Sequence, residues 1–417
     1  MSFRTSYPVD SESSRLIPED DWMPWKTQMK QDVRREFALK ALATGANLTA
    51  LCLEYDVTRK TGREWRERAR LGGINRLAER SRRPLSSPQQ LSETIVCRLV
   101  RLKMAYPNWG PKKISELYFR AQAERIGVSS CHRVLKAAGL VEARKRRVRR
   151  EATLVLGPVL PLAANDVWTI DFKGWWRLGS GERCEPLTIR DAFSKYILAA
   201  VVPANGRTQT MIQEFNRLFQ QYGLPKVIKS DNGAPFASHG APLRLSSLSA
   251  TWIALGIELE HSRPGHPQDN GAHERMHKDI QAEVAAKIQV DLRAQQAALE
   301  LWRHEYNEVR PHETLQGRCP AELYHKSPRR YPTGPVRLDY GPGHFPRKVS
   351  SDGSIKYEGR SIFITTALAG WEVGLRLAGE NVLEVWFNYL LVGTIDLQTN
   401  RFGSAPSRSA KAVGLAA

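Results

Sequence analysis

The chain has 417 residues, 41% of them hydrophobic, and its 62 Lys and Arg outnumber 43 Asp and Glu, which gives a net charge of +19. This length predicts two to four domains with real hydrophobic cores. The five cysteines are scattered without a CxxC pair, so neither a disulfide framework nor a zinc ribbon is supported, and no apolar run is long enough to predict a membrane span.

The positive charge is concentrated in the first third of the chain. Residues 1–150 hold 32 Lys and Arg against 16 Asp and Glu. A mild excess of this kind is common on soluble proteins, but so strong a local excess favours a polyanionic partner, which is usually nucleic acid. Residues 1–23 are polar and lack the apolar segment of a signal peptide, so we expect a disordered leader there.

Residues 24–80 have the pattern of three short helices. Asn47 can cap the second helix and Thr58 the third, and the third helix, Arg59–Arg70, is strongly basic. This order is typical of a helix-turn-helix DNA-binding domain whose last helix enters the major groove, with a solvated helical hairpin as the alternative. The predicted DNA contacts of this segment are Arg59, Lys60, Arg63 and Arg66, followed by Arg82 and Arg83 in a linker.

Residues 92–140 form a second helical segment, which we interpret as a second helical DNA-binding domain because apolar side chains recur at helical spacing. Residues 141–164 are predicted to be a basic linker that either tracks DNA phosphates or is simply solvated. We favour the phosphate role. The predicted contacts in this linker are Arg144, Lys145, Arg146, Arg147, Arg149 and Arg150.

The character of the sequence changes at residues 165–327, where apolar strand-like runs are followed by helical patterns. This change is typical of an α/β domain with a mixed sheet. Residues 345–400 contain short strands separated by turn residues and predict a small C-terminal β-barrel, and residues 401–417 predict a disordered tail. The expected fold class is therefore a multidomain α/β chain with helix-turn-helix domains ahead of the core.

Three carboxylates in the α/β segment are candidates for catalysis. Asp171 ends the first predicted strand, Asp231 follows a later strand, and Glu274 lies early on a predicted helix. Acids at the carboxyl ends of buried strands face the crevice where α/β sheets bind ligands. Three such acids can hold hard cations, and two Mg²⁺ ions about 4 Å apart would activate an attacking hydroxyl and stabilise the leaving oxygen of a phosphodiester.

The segments around these acids are similar to the signature blocks of the DDE transposase and retroviral-integrase superfamily. The blocks are Trp168–Phe172 (WTIDF), Ser230–Phe236 (SDNGAPF) and Pro264–Arg275 (PGHPQDNGAHER), and Tyr306–His312 resembles the family's ending. The chain most resembles bacterial insertion-sequence transposases over about residues 24–325. Three blocks in the right order are a far more specific signal than any one of them alone.

The resemblance implies a ribonuclease-H-like core that cleaves DNA 3′ ends and transfers them to a target. It assigns Asp171, Asp231 and Glu274 to catalysis and to metal binding, with two Mg²⁺ ions and Mn²⁺ as a substitute. The implied partners are DNA, as terminal inverted repeats and target, and further copies of the chain, as a dimer or higher oligomer. We expect a bacterial, cytoplasmic and nucleoid-associated protein; an ATPase helper is left open.

The sequence departs from the family pattern in two respects. Between Asp231 and Glu274 lie 42 residues, a few more than the family's usual gap. The family often has a basic residue two turns after the glutamate, where this chain has Gln281, and we expect His277 and Lys278 to contact DNA instead.

Other readings of the same residues stay open. Asp269 is the best rival of Glu274 but fits a helix cap better. The histidines at positions 261, 266, 273 and 277 suggest a metal cluster, which is not favoured because no cysteine spacing supports zinc. Two alternative functions are a DNA-binding regulator that no longer cuts, and a ribonuclease-H-like nuclease without strand transfer.

Overall fold

The computed structural model describes residues 30–77, 90–141, 160–203, 208–238, 240–262 and 271–406. The chain divides into two compact units, residues 1–90 and 91–417. The predicted leader, the basic run Arg144–Arg150, and Arg82 with Arg83 lie outside the described residues. In the ranges that are described, no helix has the length and apolar character needed to cross a membrane.

The first unit consists of three helices and a final 3-10 turn: α1 (Lys30–Leu42), α2 (Leu48–Glu54), α3 (Arg59–Gly72) and the turn Ile74–Leu77. Both predicted caps are confirmed, because the Asn47 side chain accepts the amides of residues 49 and 50 and the Thr58 hydroxyl accepts that of residue 61. Phe37 is fully buried at the centre of this unit. Gly62 lets α3 approach it closely, since a Cβ there would be 2.4 Å from the sulfur of Cys52.

The second unit begins with three helices, α4 (Glu93–Ala105), α5 (Pro111–Gln122) and α6 (Val128–Ala137). Leu99, Ile114 and Leu135 are fully buried between them. Trp109, which precedes α5, stacks on Tyr106 with a ring-centroid distance of 4.1 Å. The helical pattern predicted for residues 92–140 is therefore confirmed.

A five-stranded mixed sheet follows. Its strands are β1 (Val167–Phe172), β4 (Leu187–Asp191), β5 (Ile197–Val201), β6 (Val227–Ser230) and β7 (Glu258–His261), in the order β5-β4-β1-β6-β7, and a small hairpin joins β2 (Trp176–Arg177) to β3 (Arg183–Cys184). β4 runs antiparallel to β1 and β5, whereas β6 is parallel to β1 and β7. The predicted mixed α/β architecture is confirmed.

Helices cover both faces of this sheet. They are α7 (Thr208–Tyr222), α8 (Ser247–Ala254), α9 (Gly271–Ile280) and α10 (Leu292–His304), with π-helical turns Gln281–Ala285 and Glu305–Val309 after the last two, and 3-10 turns at Pro242–Arg244, Glu313–Leu315 and Pro320–Glu322. Side chains of α7 and α8 pack on one face with Trp168 and Ile170 of β1. Those of α9 and α10 pack on the other face. Alternation along β1 therefore turns Thr169 and Asp171 toward the α9 face.

The C-terminal strands are β8 (Phe345–Lys348), β9 (Ser354–Tyr357), β10 (Arg360–Phe363), β11 (Glu372–Gly379), β12 (Val382–Phe387), β13 (Leu390–Asp396) and β14 (Arg401–Ser404), with a 3-10 turn at Thr366–Leu368. Five form an antiparallel sheet in the order β14-β13-β12-β11-β8, and β9 pairs with β10. This sheet packs on α8, where the Asn388 amide donates to the carbonyl oxygen of Ile253 at 2.7 Å.

Two predictions for this region are not confirmed. Within the described residues, no hydrogen-bonded ladder joins the edge strands β8 and β14, so the sheet is open and not a closed barrel; the β9–β10 hairpin contacts both edges. Alternating apolar residues predict strands, but closure also depends on strand tilt and stagger. The predicted tail was also placed too early, because Arg401–Ser404 forms β14 and Phe402 packs on the core of the sheet.

The helices α4–α6 dock on the rest of the second unit through α5 and the residues before it. The Arg310 guanidinium, fully buried, lies 5.2 Å from the ring centroid of Trp109 and forms ion pairs with Asp279 and Glu283. Nearby, Arg120 of α5 donates two hydrogen bonds to the carboxylate of Glu322, at 2.7 and 3.0 Å. Residues 92–140 were predicted only to bind DNA. In the structure, α5 also packs this segment against the sheet domain.

Candidate active site

Asp171 and Asp231 occupy the carboxyl ends of two adjacent parallel strands. The β1–β6 ladder pairs Val167 with Val227 and ends with Thr169 opposite Lys229. Each aspartate lies two residues beyond the last pair of this ladder, so both come at the same edge of the sheet. Carboxylates at one edge of a sheet, on adjacent strands about 4.8 Å apart, are candidates for sharing a cation.

The two aspartates differ in exposure. The Asp171 side chain is 22% exposed, whereas Asp231 is exposed. The Asp231 carboxylate accepts the amide of Gly233 at 3.1 Å, which fixes the start of the loop. That loop is tied to β7 because the Asn232 amide donates to the Ser262 carbonyl oxygen at 2.7 Å. Backbone geometry on both sides therefore holds Asp231 in place while its carboxylate stays open to solvent.

Glu274 lies in the first turn of α9 and is exposed. Its neighbours His273 and Met276 are fully buried and fix the rotation of the helix about its axis. The eight residues before the helix, 263–270, lie outside the described residues, and the predicted cap Asp269 is among them. Two further acids of the α/β segment have structural partners: Asp191 accepts backbone amides of residues 165 and 194, and Glu283 pairs with Arg310.

Two histidines of α9 lie beside Asp171. In the described part of the chain, the one group of three ligand-type side chains whose ligand atoms all lie within 4.8 Å of one another is Asp171, His273 and His277. His277 Nδ1 is 4.0 Å from Asp171 Oδ2. Asp231 and Glu274 are not members of this group. From the sequence, His273 and His277 were considered with His261 and His266 as a metal cluster that was not favoured, and Asp171 was not included; the i,i+4 spacing of the two histidines was a signal that both lie on one face of a helix.

Both histidines are held in their neutral form. Burial, followed by the positive charges of Lys173 and Arg190, lowers the pKa of His277 to about 4. Burial is also the main cause that lowers the pKa of His273 well below its usual value, with Arg190 and His277 adding to it. At neutral pH each ring therefore offers an uncharged nitrogen. His261, on β7, has its pKa lowered by burial too, and its Nδ1 lies 3.2 Å from Ser230 Oγ.

The residues present fit divalent metal ions. Asp171 and Asp231 offer carboxylate oxygens, which are the ligands that Mg²⁺ prefers, at neighbouring strand ends with one carboxylate exposed. The α9 turn that carries Glu274 is fixed next to β1, because the His273 and Thr169 side chains hydrogen-bond at 2.9 Å. The nitrogen donors beside Asp171 add a second kind of ligand chemistry, which suits ions softer than Mg²⁺.

The predicted DNA contacts fall into two groups in the structure. On α3, Lys60, Arg63 and Arg66 have no acidic partner within 4.0 Å among the described residues, and Arg59 donates to the Thr49 hydroxyl. On α9, Lys278 is exposed, but the His277 side chain is only 12% exposed and points toward Thr188 and Asp171. His277 is therefore placed at the carboxylates and not at a surface open to DNA phosphates.

Lys173 carries a positive charge and was not among the DNA contacts predicted from the sequence. Its Nζ donates to the side-chain oxygen of Gln281 at 3.1 Å. Gln281 is the position where a basic residue was expected from the family pattern. Lys173 comes directly after β1, two residues along the chain from Asp171. Its ammonium group therefore lies next to the side chain of Gln281.

Comparisons with known proteins agree with this arrangement. The family called integrase core domain matches residues 161–267 and again residues 255–320. An uncharacterized 31.7 kDa protein of insertion element IS407 from Burkholderia multivorans is 28% identical over 57% of this chain and 83% of its own length. An uncharacterized 39.2 kDa protein of insertion element IS476 from Xanthomonas euvesicatoria is 25% identical over 62% of this chain and 71% of its own length.

Solved structures of retroviral integrases are also similar. The HTLV-2 integrase catalytic core domain in complex with magnesium is 15% identical, over 39% of this chain and 99% of that one, with a TM-score of 0.31. The BIV integrase catalytic core domain is 25% identical, over 38% of this chain and 93% of that one, with a TM-score of 0.30.

The mixed five-stranded sheet and the family matches identify an integrase core domain within residues 161–320. Together with the insertion-element relatives, these matches support membership of the DDE transposase and retroviral-integrase superfamily. This similarity supports a transposase role.

Proposed function

We propose that this chain is a DDE-type transposase that binds the ends of its element, cleaves DNA at their 3′ ends and joins those ends to target DNA. The single observation that supports the proposal is that Asp171 and Asp231 come at the carboxyl ends of two adjacent parallel strands, β1 and β6, while Glu274 lies on α9, whose His273 contacts Thr169 of β1. Two carboxylates on rigid strands and a third on a packed helix suit a reaction that depends on positioning.

Asp171, Asp231 and Glu274 are the proposed catalytic and metal-binding residues. Two Mg²⁺ ions, or Mn²⁺ in their place, would lower the pKa of the attacking hydroxyl and stabilise the leaving oxygen in an in-line displacement at phosphorus. The role of this chain's own residues is to fix the geometry. β1 and β6 hold the aspartates, the Gly233 amide orients the carboxylate of Asp231, and the His273–Thr169 contact fixes the turn that bears Glu274.

The proposed DNA-binding surface starts with the basic face of α3. Arg59, Arg63 and Arg66 recur at intervals of four and three, which places them on one side of the helix. Such a helix is suited to contact both base edges and phosphates, and terminal inverted repeats are the proposed target of this recognition. The further phosphate contacts that we propose are Lys60, Arg82, Arg83, Arg144, Lys145, Arg146, Arg147, Arg149, Arg150 and Lys278.

Chemistry at two element ends requires at least two active sites, so the functional species that we propose is a dimer or a higher oligomer. Self-association and binding of target DNA complete the proposed set of partners. The proposed location is the bacterial cytoplasm, in association with the nucleoid, because the substrate is chromosomal DNA.

The test is a joining assay with the full chain, Mg²⁺, labelled element-end DNA and a supercoiled plasmid. We expect labelled DNA covalently joined to the plasmid, with scrambled end DNA giving little product. Tight binding of end DNA without nicking or joining under Mg²⁺ or Mn²⁺ would favour the regulator. Cleavage of an RNA–DNA hybrid in preference to end DNA would favour the nuclease.

A further inference from the structure

Two threonine–histidine pairs connect the sheet to α9. The Thr169 hydroxyl is 2.9 Å from His273 Nε2 and also donates to the backbone carbonyl of Arg190, at 3.4 Å. The Thr188 hydroxyl is 2.9 Å from His277 Nε2 and donates to the backbone carbonyl of Asp171, also at 2.9 Å. Each hydroxyl therefore lies within hydrogen-bond distance of both an imidazole nitrogen and a backbone carbonyl.

Where a threonine donates its proton to the carbonyl, its oxygen can only accept, and Nε2 of the histidine then carries the proton. In a neutral imidazole the other nitrogen, Nδ1, then has a lone pair and no proton. Nδ1 is therefore the atom that each ring can offer to an electrophile.

One of these nitrogens is unpartnered in the described structure. His273 is fully buried, and its Nδ1 has no hydrogen-bond partner among the described residues. His277 Nδ1 lies 4.0 Å from Asp171 Oδ2. A buried polar nitrogen without a partner is costly, and a cation bound beside a carboxylate would satisfy it.

We propose that Asp171, His273 and His277 form a binding site for a borderline divalent cation such as Co²⁺ or Zn²⁺. Two imidazole nitrogens and one carboxylate oxygen are the ligand set that such ions prefer over Mg²⁺. The ligand atoms all lie within 4.8 Å of one another, so they need to close by only a short distance around an ion. Thr169 and Thr188 are the outer partners that orient the rings.

The site overlaps the proposed catalytic centre, since both use Asp171. An ion held by the histidines would engage the Asp171 carboxylate without needing Asp231 or Glu274. The site is therefore a place where a metal other than Mg²⁺ can compete for this carboxylate. Because binding itself requires no DNA and no turnover, the inference goes beyond the proposed transposase activity and can be tested apart from it.

The experiment is a titration of the full-length protein with Co²⁺ in the absence of DNA, followed by the visible absorption of the bound ion. The variants are His277→Gln, Thr188→Val, Asp231→Asn and Glu274→Gln, with His325→Gln, an exposed histidine of the same unit, as the matched control. Circular dichroism of each variant confirms folding. His273→Gln is left out of the central comparison because that side chain is fully buried.

We expect saturable Co²⁺ binding by the wild type and by the His325 control, and a larger loss of affinity in His277→Gln than in the variants at 231 and 274. His277→Gln should weaken binding at least about tenfold, and Thr188→Val about tenfold, which is typical of the loss of an orienting partner. Equal affinity in wild type and His277→Gln would overturn the proposal, as would loss of binding in Asp231→Asn with His277→Gln unaffected. A protein that binds Co²⁺ as expected but joins no DNA would contradict only the proposed function.

Discussion

Asp171 on β1 and Asp231 after β6 each lie two residues beyond the last pair of the parallel β1–β6 ladder. The backbone of the sheet therefore sets where each of these side chains begins. A side chain one methylene longer at either position would displace the carboxylate by more than 1 Å while leaving its charge unchanged.

This relationship predicts that length matters as much as charge at the site. We expect Asp171→Glu to reduce joining of element-end DNA by about 100-fold, because a misplacement of roughly 1 Å in a positioned reaction costs on that order. The same change at the exposed Asp339, in the segment before the C-terminal sheet, is the control and should have little effect. Near-normal joining by Asp171→Glu would show that this carboxylate is not held in a fixed geometry at the reacting phosphate.

The basic face of α3 predicts a specific pattern of DNA binding. Replacing Arg63 or Arg66 with Ala should weaken binding of element-end DNA, by about 1–3 kcal/mol where the side chain contacts a base. Each lost phosphate contact should also reduce the salt dependence of binding by about one unit of slope. Fluorescence anisotropy at several salt concentrations measures both.

The control for this prediction is Lys40→Ala on α1. Lys40 carries a positive charge, as the arginines do, but its ammonium group forms ion pairs with Glu36 and Glu54. We expect its affinity and salt slope to match the wild type. If Lys40→Ala weakened binding as much as Arg63→Ala, the face of α3 would have no special role.

The contact between Arg310 and Trp109 predicts how α4–α6 are held. Arg310→Met should destabilise the second unit by about 3–5 kcal/mol, because Asp279 and Glu283 would keep their charges next to a buried site without the guanidinium. Trp109→Ala should cost a similar amount, through the loss of a large buried side chain. Urea denaturation measures both variants and the double variant.

The double variant should lose less free energy of unfolding than the two single variants lose together, by about 0.5–2 kcal/mol, because the cation–π contact is lost only once. Strict additivity would mean that the two side chains stabilise the unit independently, despite the distance of 5.2 Å between them.

Lys173 is predicted to act in DNA binding near the carboxylates. Lys173→Met should reduce the salt slope of end-DNA binding by about one and should lower joining, because it removes the ammonium group next to Gln281. Lys287→Met, at an exposed lysine in the turn after α9, is the matched control. Unchanged joining in Lys173→Met would leave Lys278 as the basic residue on which this side of the site depends.

Much of the fold could be predicted from the sequence because its signals are local. The caps at Asn47 and Thr58, the strand before Asp171 and the helix Thr208–Tyr222 follow from side-chain chemistry and periodicity alone. Strand β7 (Glu258–His261) was missed because three of its four residues are charged or histidine. The open C-terminal sheet was taken for a barrel because sequence alternation carries no information about how edge strands meet.

The candidate site was predictable only in part. The three carboxylates lie in distinctive sequence blocks, so they could be selected from the sequence. Their role in catalysis remains a prediction. The contact of His277 with Thr188 depends on the antiparallel pairing of β4 with β1 and on the rotation of α9, and no local pattern specifies either. For the same reason His277 was expected at the DNA surface, whereas packing turns it toward Asp171.

The central claim is that three carboxylates carry the chemistry, and the most direct measurement is joining of element-end DNA by isosteric variants. Asp171→Asn, Asp231→Asn and Glu274→Gln are compared with Glu258→Gln, an exposed acid on the neighbouring strand β7, all in Mg²⁺. We predict that each of the first three loses at least about 100-fold in joining, since even an outer partner of a metal site contributes roughly 10- to 100-fold, while binding of end DNA persists and Glu258→Gln joins normally. Joining at wild-type rates by Asp231→Asn or Glu274→Gln would contradict the three-carboxylate site.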